Sequence, residues 1–90
     1  MDFGTALDAL RSGQRVARAG WNGKGMWLVL VAGSTFRVQA DRTLGQACPD
    51  MVGETVDYQP HIDMRTAQGS IVPWLASQTD VLATDWEVVH

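Results

Sequence analysis

The chain has 90 residues, 46% of them apolar, and a formal net charge of −3. This length predicts one domain spanning residues 1–90 with a thin core, because so short a chain buries only about 60–65% of the surface that its unfolded form exposes. The acidic balance excludes the basic face that binding to duplex nucleic acid usually requires. Four tryptophans and four methionines exceed what a thin core can hold, so we expect self-association.

Cys48 is the only cysteine, which excludes an intramolecular disulfide and a cysteine-based zinc site. We therefore expect a cytoplasmic location, without dependence on oxidation. No stretch approaches the roughly 20 apolar residues of a membrane-spanning helix, and the first residues lack the pattern of a signal peptide. The sequence predicts no membrane partner.

An amphipathic helix is predicted near the N-terminus. Asp2 can cap it, and apolar residues follow at helical spacing over residues 3–10. A short strand is expected at 15–18, with Val16 turned to one side and its two arginines to the other.

A glycine-rich loop covers residues 20–25, and its Asn22-Gly23 pair predicts a type I′ turn, which needs positive φ at both central residues. The apolar run 26–31 does not alternate and predicts a strand buried on both faces, one of which must meet either the helix or a partner subunit. Residues 36–38 are expected to form a short extended segment.

The second half of the chain is predicted to be mostly strands. Residues 40–56 carry polar and turn-forming residues and are expected to form a long loop with at most one helical turn. Strands are expected at 58–66, interrupted by Pro60 near its start, at 71–75 after a turn, and at 85–89. Ser77, with Asp80 three residues later, predicts the cap of a short helix that ends at Ala83.

These elements predict an α+β fold. It consists of a small, mostly antiparallel sheet of about five strands, with an N-terminal helix and a short C-terminal helix.

Catalysis and metal binding find little support in the sequence. His61 and Asp63 share a strand face, but a metal site needs three or four ligands. Ser70, Ser77 and Cys48 lack any recognisable partner motif for nucleophilic catalysis. We therefore expect neither an enzyme, nor a metal site, nor a cofactor.

The tryptophans indicate a binding surface. Trp21 lies in the glycine-rich loop and Trp74 lies just before a helix, so both are candidate stacking platforms for a flat base. Trp27 and Trp86 lie within apolar strand patterns and are expected in the core. The glycine loop alone is more typical of a turn, although its backbone N–H groups could face an anion.

Three blocks of sequence resemble a known family. They are residues 16–26 (VARAGWNGKGM), 60–67 (PHIDMRTA) and 69–86 (GSIVPWLASQTDVLATDW). They are similar to a small phage-encoded family, once known only as a domain of unknown function, whose studied members are Thoeris anti-defence proteins of the second type.

The resemblance implies a signal-sequestering protein in the cytoplasm of an infected bacterium. Members of the family bind, without cleaving them, cyclic ADP-ribose isomers made by bacterial TIR-domain proteins. Some also bind cyclic dinucleotides made by cGAS-like enzymes. The members assemble as homotetramers with pockets between subunits.

Within this family, position and chemistry suggest ligand contacts for specific residues. Base stacking is expected from Trp21 and Trp74, and polar contacts to the base edge or ribose from Asn22, Ser77 and Asp80. Phosphate contacts are expected from Arg18, Lys24, Arg65 and the N–H groups of Gly23 and Gly25, with Met64 and Thr66 as wall residues. The alternative is a phage or prophage module that binds a host protein through the same loops.

Overall fold

The computed structural model describes all 90 residues and has the predicted α+β architecture. The helices are α1 (Phe3–Arg11), α2 (Thr43–Ala47) and α3 (Gln78–Leu82), and a 3-10 turn covers Pro49–Met51. The strands are β1 (Arg15–Arg18), β2 (Trp27–Val31), β3 (Ser34–Arg37), β4 (Thr55–Tyr58), β5 (His61–Arg65), β6 (Ile71–Pro73) and β7 (Trp86–Val89). No helix has both the length and the apolar character needed to cross a membrane.

The main sheet is five-stranded, with the order β6-β5-β2-β1-β7 and antiparallel pairing throughout. Helix α1 covers one face of it and contacts β1, β2 and β7. The predicted cap of α1 is confirmed, because the Asp2 carboxylate accepts the Thr5 N–H at 2.9 Å.

The core lies between α1 and this face. Ala6 and Leu10, four residues apart on α1, meet Val16, Leu28 and Trp86 from three strands, and all five are at most 2% exposed. Trp86 is therefore a core residue, as expected. The prediction that Arg18 faces away from Val16 was wrong. Side chains two residues apart in a strand share a face, and the contact of Arg18 with Asp80 is on the same face of β1 as Val16.

Strand β2 is not buried on both faces within one chain. Leu28 is fully buried, but Trp27, Val29 and Val31 on the opposite face are only half-buried. Along this face β2 pairs with His61, Asp63 and Arg65 of β5. The expectation was wrong for the single chain because no second layer covers this face.

Residues 34–58 form a separate unit, which we call the arm. Its strands β3 and β4 pair as a two-stranded antiparallel sheet, and α2 and the 3-10 turn lie between them. The arm packs mainly on itself. The predicted long loop over 40–56 is therefore wrong except for its one helical turn, which α2 provides. The predicted strand 58–66 divides at Gln59 and Pro60, so that Tyr58 ends β4 and β5 begins at His61.

One turn and one strand end differ from expectation. No residue other than glycine has positive φ, and in the 20–25 loop only Gly25 does, at +73°, so Asn22-Gly23 does not form a type I′ turn. Strand β6 ends at Pro73, and Leu75 is 91% exposed.

Candidate ligand-binding site

Two of the four tryptophans flank a third, the core residue Trp86, on the side of the sheet that α1 covers. The ring of Trp21 lies 5.4 Å from that of Trp86 with an interplanar angle of 78°, and Trp74 meets the same ring at 6.2 Å and 84°. Phe3 of α1 completes the group, 5.8 Å from Trp74 and 5.3 Å from Trp86. These edge-to-face contacts hold the outer two tryptophans, both half-buried, in fixed orientations.

A network of hydrogen bonds fixes Trp21 from the polar side. Its indole Nε1–H donates to Oδ1 of Asp80 at 3.1 Å. The same oxygen accepts from Nη1 of Arg18 at 2.8 Å, and Nε of Arg18 donates to Asp85 at 2.8 Å. Asp85 also accepts the backbone N–H of Gly20 at 2.7 Å. Arg18 therefore joins the start of the glycine loop to α3 and to the residue before β7.

The charges in this network stabilise one another. The hydrogen bond from Arg18 is the largest influence on the pKa of Asp85 and lowers it; burial, the next largest, acts to raise it, and the hydrogen bond from the Gly20 backbone helps to keep it lowered. Partial burial alone would raise the pKa of Asp80, but hydrogen bonds from Arg18, Trp21 and Ser77 outweigh it and leave that pKa lowered. Bonds to Asp85 and Asp80 raise the pKa of Arg18 above its ordinary value. All three groups are thus charged at neutral pH.

The glycine loop packs against the turn that follows β5. A Cβ placed on Gly23 would meet Sδ of Met26 and lie 2.8 Å from Cβ of Ala67, so no side chain fits there. This contact brings the loop beside Thr66, whose Oγ1 accepts the Ser70 N–H at 3.1 Å. Loop and turn form one continuous surface.

The remaining site residues surround these contacts. Met64 packs against the core, whereas Arg65, Asn22, Lys24 and Gly25 are exposed. Ser77 caps α3 as predicted, since its Oγ accepts the Asp80 N–H at 3.1 Å.

The structure joins several predicted site residues but encloses no cavity between them. Hydrogen bonds connect Arg18, Trp21 and Asp80, and Trp74 reaches the same group through Trp86. The two cavities of the chain lie in and beside the arm, and no predicted site residue lines them.

Sequence reasoning missed Asp85, which accepts from Arg18, and Gly20, whose backbone N–H donates to Asp85. Register explains their position, because Arg18 pairs with Trp86, the neighbour of Asp85, and no local pattern carries that information. His61 and Asp63 do share a face, with Nε2 and Oδ2 3.8 Å apart, and no third metal ligand joins them.

Comparison with known proteins places the chain in a family. Residues 1–89 match the model of the Thoeris anti-defense 2-like domain. The chain is also 38% identical over 89 residues to Thoeris anti-defense 2 of Bacillus phage SP01, an alignment that covers 99% of this chain and 94% of the relative. The matched range spans the aromatic group and the Arg18 network. The match supports a role in phage anti-defence. The chain belongs to the Thoeris anti-defense 2 family.

Proposed function

We propose that the protein captures cyclic nucleotide alarm signals and holds them without cleaving them. The ligands are cyclic ADP-ribose isomers made by TIR-domain proteins and, as a second class, cyclic dinucleotides. Capture in the cytoplasm of the infected bacterium would block Thoeris immunity and, through the second class, CBASS immunity. The observation that carries this proposal is the pair of half-buried tryptophans, Trp21 and Trp74, held at fixed angles on Trp86 beside a loop of exposed polar groups.

The contacts of each residue suggest its role. Trp21 and Trp74 offer their accessible surface for stacking on bases, while Asn22 and Ser77 bind base edges or ribose hydroxyls. Because Asp80 already accepts hydrogen bonds from both Arg18 and Trp21, we assign Asp80 and Arg18 the positioning of Trp21.

Phosphate recognition then falls to exposed donors. Lys24 and Arg65 are exposed and form no ion pair within 4 Å. The backbone N–H groups of Gly23 and Gly25 add uncharged donors, and Met64 and Thr66 form the wall below them.

The shape of the chain supports an assembly, which we propose is a homotetramer with ligand pockets between subunits. The radius of gyration is 16.3 Å, against about 12 Å for a compact chain of this length. The accessible surface is 6178 Å², about 1,000 Å² more than the roughly 5,200 Å² typical of a monomer of this mass. A pocket between subunits also requires no cavity within one chain.

The affinity needed for capture is within reach of these groups. A nanomolar Kd corresponds to about −12 kcal/mol. Two stacked bases contribute about 1–3 kcal/mol each, and each charge-assisted hydrogen bond to phosphate adds about 1.5–3 kcal/mol. A rigid cyclic ligand loses little conformational entropy, so the main cost set against this sum is the translational and rotational freedom lost on association.

The direct test is recovery of the ligand. The purified protein is incubated with a cyclic ADP-ribose isomer or a cyclic dinucleotide, separated from free ligand and heated, and the released nucleotide is measured by mass spectrometry. We expect intact ligand in the released fraction. Degraded ligand would identify an enzyme instead, and no uptake by an assembled protein would favour the host-protein-binding module.

A matched pair of arginine variants tests the phosphate assignment. Arg65→Gln should weaken capture about tenfold or more, because a charged hydrogen bond contributes about 1.5–3 kcal/mol. Arg11→Gln is the control, since Arg11 is an exposed arginine on α1, 3.9 Å from Asp8. Equal capture by both variants would remove Arg65 from the site.

A further inference from the structure

The largest cavity of the chain lies in the arm. It has a volume of about 370 Å³, within the range of small-molecule pockets. Its lining consists of Phe36, Arg37, Val38, Gln39, Arg42 and Leu44. None of these residues takes part in the tryptophan site, so the cavity is a separate feature of the molecule.

The walls of this cavity are held by backbone contacts. The N–H of Val38 donates to the Glu54 carbonyl at 2.9 Å, and the Val38 carbonyl accepts the Gly53 N–H at 3.0 Å. Across the cavity, α2 approaches so closely that a Cβ on Gly45 would collide with the Gln39 carbonyl. The segment between Val38 and α2 is therefore fixed at both ends, and the cavity exists before any ligand binds.

The lining combines positive charge with apolar surface. Neither Arg37 nor Arg42 has a carboxylate within 4 Å, although Asp41 directly precedes Arg42 and the backbone of Glu54 binds that of Val38, the residue after Arg37. Phe36 is 38% exposed, a large share for an aromatic side chain. Two unpaired guanidinium groups beside an open aromatic ring suit an anion that carries an apolar body.

We propose that this cavity binds a phosphate monoester with an aromatic or apolar body. A phosphate monoester carries close to two negative charges at neutral pH and three acceptor oxygens, which match two guanidinium groups. A carboxylate has one charge and balances only one arginine. Phe36 and Leu44 receive the ester group, which free inorganic phosphate lacks.

Phenyl phosphate is the probe that tests this proposal, with benzoate and inorganic phosphate as matched ligands. Each is titrated into the 15N-labelled protein, and backbone amide shifts are followed. We expect phenyl phosphate to shift the amides of residues 36–44 and to bind at least about tenfold more tightly than benzoate or inorganic phosphate. Equal binding of all three, or shifts confined to other residues, would overturn the proposal.

Three variants complete the test. Arg37→Gln and Arg42→Gln should each weaken phenyl phosphate binding about tenfold, whereas Arg11→Gln should leave it unchanged. Circular dichroism verifies that each variant is folded. If both arm variants bind phenyl phosphate as tightly as the unmodified chain, the two arginines do not form the site. If the unmodified chain does not bind phenyl phosphate and the arm variants change only the mass of the assembly, the two arginines serve subunit association instead.

The test of the arm cavity can succeed or fail independently of the test of cyclic nucleotide capture. Arg65→Gln, which should weaken capture of cyclic nucleotides, should bind phenyl phosphate as the unmodified chain does. Arg37→Gln and Arg42→Gln should still capture cyclic nucleotides. Parallel loss of both ligands in every variant would indicate one shared site and contradict the separate cavity.

Discussion

Substitutions at Gly23 and Gly25 probe the loop that carries Trp21. At Gly23 an added Cβ meets Met26 and lies 2.8 Å from Cβ of Ala67. Met26 can move its flexible end, but Ala67 is fixed to the backbone, so Gly23→Ala forces loop and turn apart at a cost of about 1–3 kcal/mol. At Gly25 there is open space, and the cost of Gly25→Ala comes from φ of +73°, roughly 1–2 kcal/mol.

Asparagine variants distinguish the collision at Gly23 from the backbone strain at Gly25. Asparagine tolerates the left-handed region better than alanine, so Gly25→Asn should be more stable than Gly25→Ala. At Gly23 the longer side chain only adds to the collision, so Gly23→Asn should be less stable than Gly23→Ala. Any replacement of glycine also stabilises the protein by lowering the conformational entropy of the unfolded chain. This contribution is similar for asparagine and alanine, so it largely cancels when the two variants are compared at one position.

Thermal unfolding measures the four variants. In a chain of this size about 1 kcal/mol shifts Tm by roughly 4–8 °C, so the differences are readily resolved. Protein concentration is kept constant, since assembly makes Tm depend on it. The reverse order, with Gly23→Asn above Gly23→Ala and Gly25→Asn at or below Gly25→Ala, would refute this loop geometry and restore the type I′ turn.

Three further predictions concern stability. Trp21→Phe keeps an aromatic ring but loses the indole hydrogen bond to Asp80, which should lower the free energy of unfolding in urea by about 1.5 kcal/mol; an equal loss in an Asp80→Ala background, where the indole has no acceptor, would contradict this bond. Leu28→Ala empties a fully buried position and should cost about 2–5 kcal/mol in chemical unfolding, whereas Leu75→Ala, at a site 91% exposed, should stay within about 0.5 kcal/mol. Both carboxylates bound to Arg18 have a pKa below the ordinary 3.8, so the unfolded chain takes up their protons first and stability should fall as pH drops below about 5. Arg18→Gln should flatten this decline in unfolding titrations, and an unchanged slope would assign the decline to other groups.

Local signals predicted the main sheet and its helices well. The Asp2 and Ser77 caps act within three residues of themselves, and the apolar run that became β2 needs no distant partner to be recognised. The arm was missed because its order depends on a register between distant residues. Phe36 pairs with Val56 across a polar stretch, and no periodicity in that stretch records the pairing.

In the candidate site too, local features could be predicted from the sequence and contacts between distant residues could not. Trp21 and Trp74 could be selected from their positions in the chain, and both are half-buried against the core. What could not be predicted is that Arg18 and Asp80 meet each other, because the bond closes a separation of 62 residues. Sequence chemistry suggested both as ligand contacts, whereas the fold satisfies their charges internally.

Under the proposed function, capture and assembly are thermodynamically linked. Only eight of the 90 residues are buried in one chain, and one face of the main sheet is covered by no second layer. A ligand that touches two subunits binds the assembly and not the separate chain, so it stabilises the assembly by about 2.7 kcal/mol when its concentration is 100 times Kd. The same linkage acts in reverse, because association places the second wall of each pocket before the ligand arrives. Under this proposal, half-burial of Trp21 and Trp74 is what a pocket wall requires, because each ring packs on the core and keeps surface for the ligand. On this proposal, their fixed edge-to-face packing on Trp86 would prepare one wall of a site that a neighbouring subunit completes.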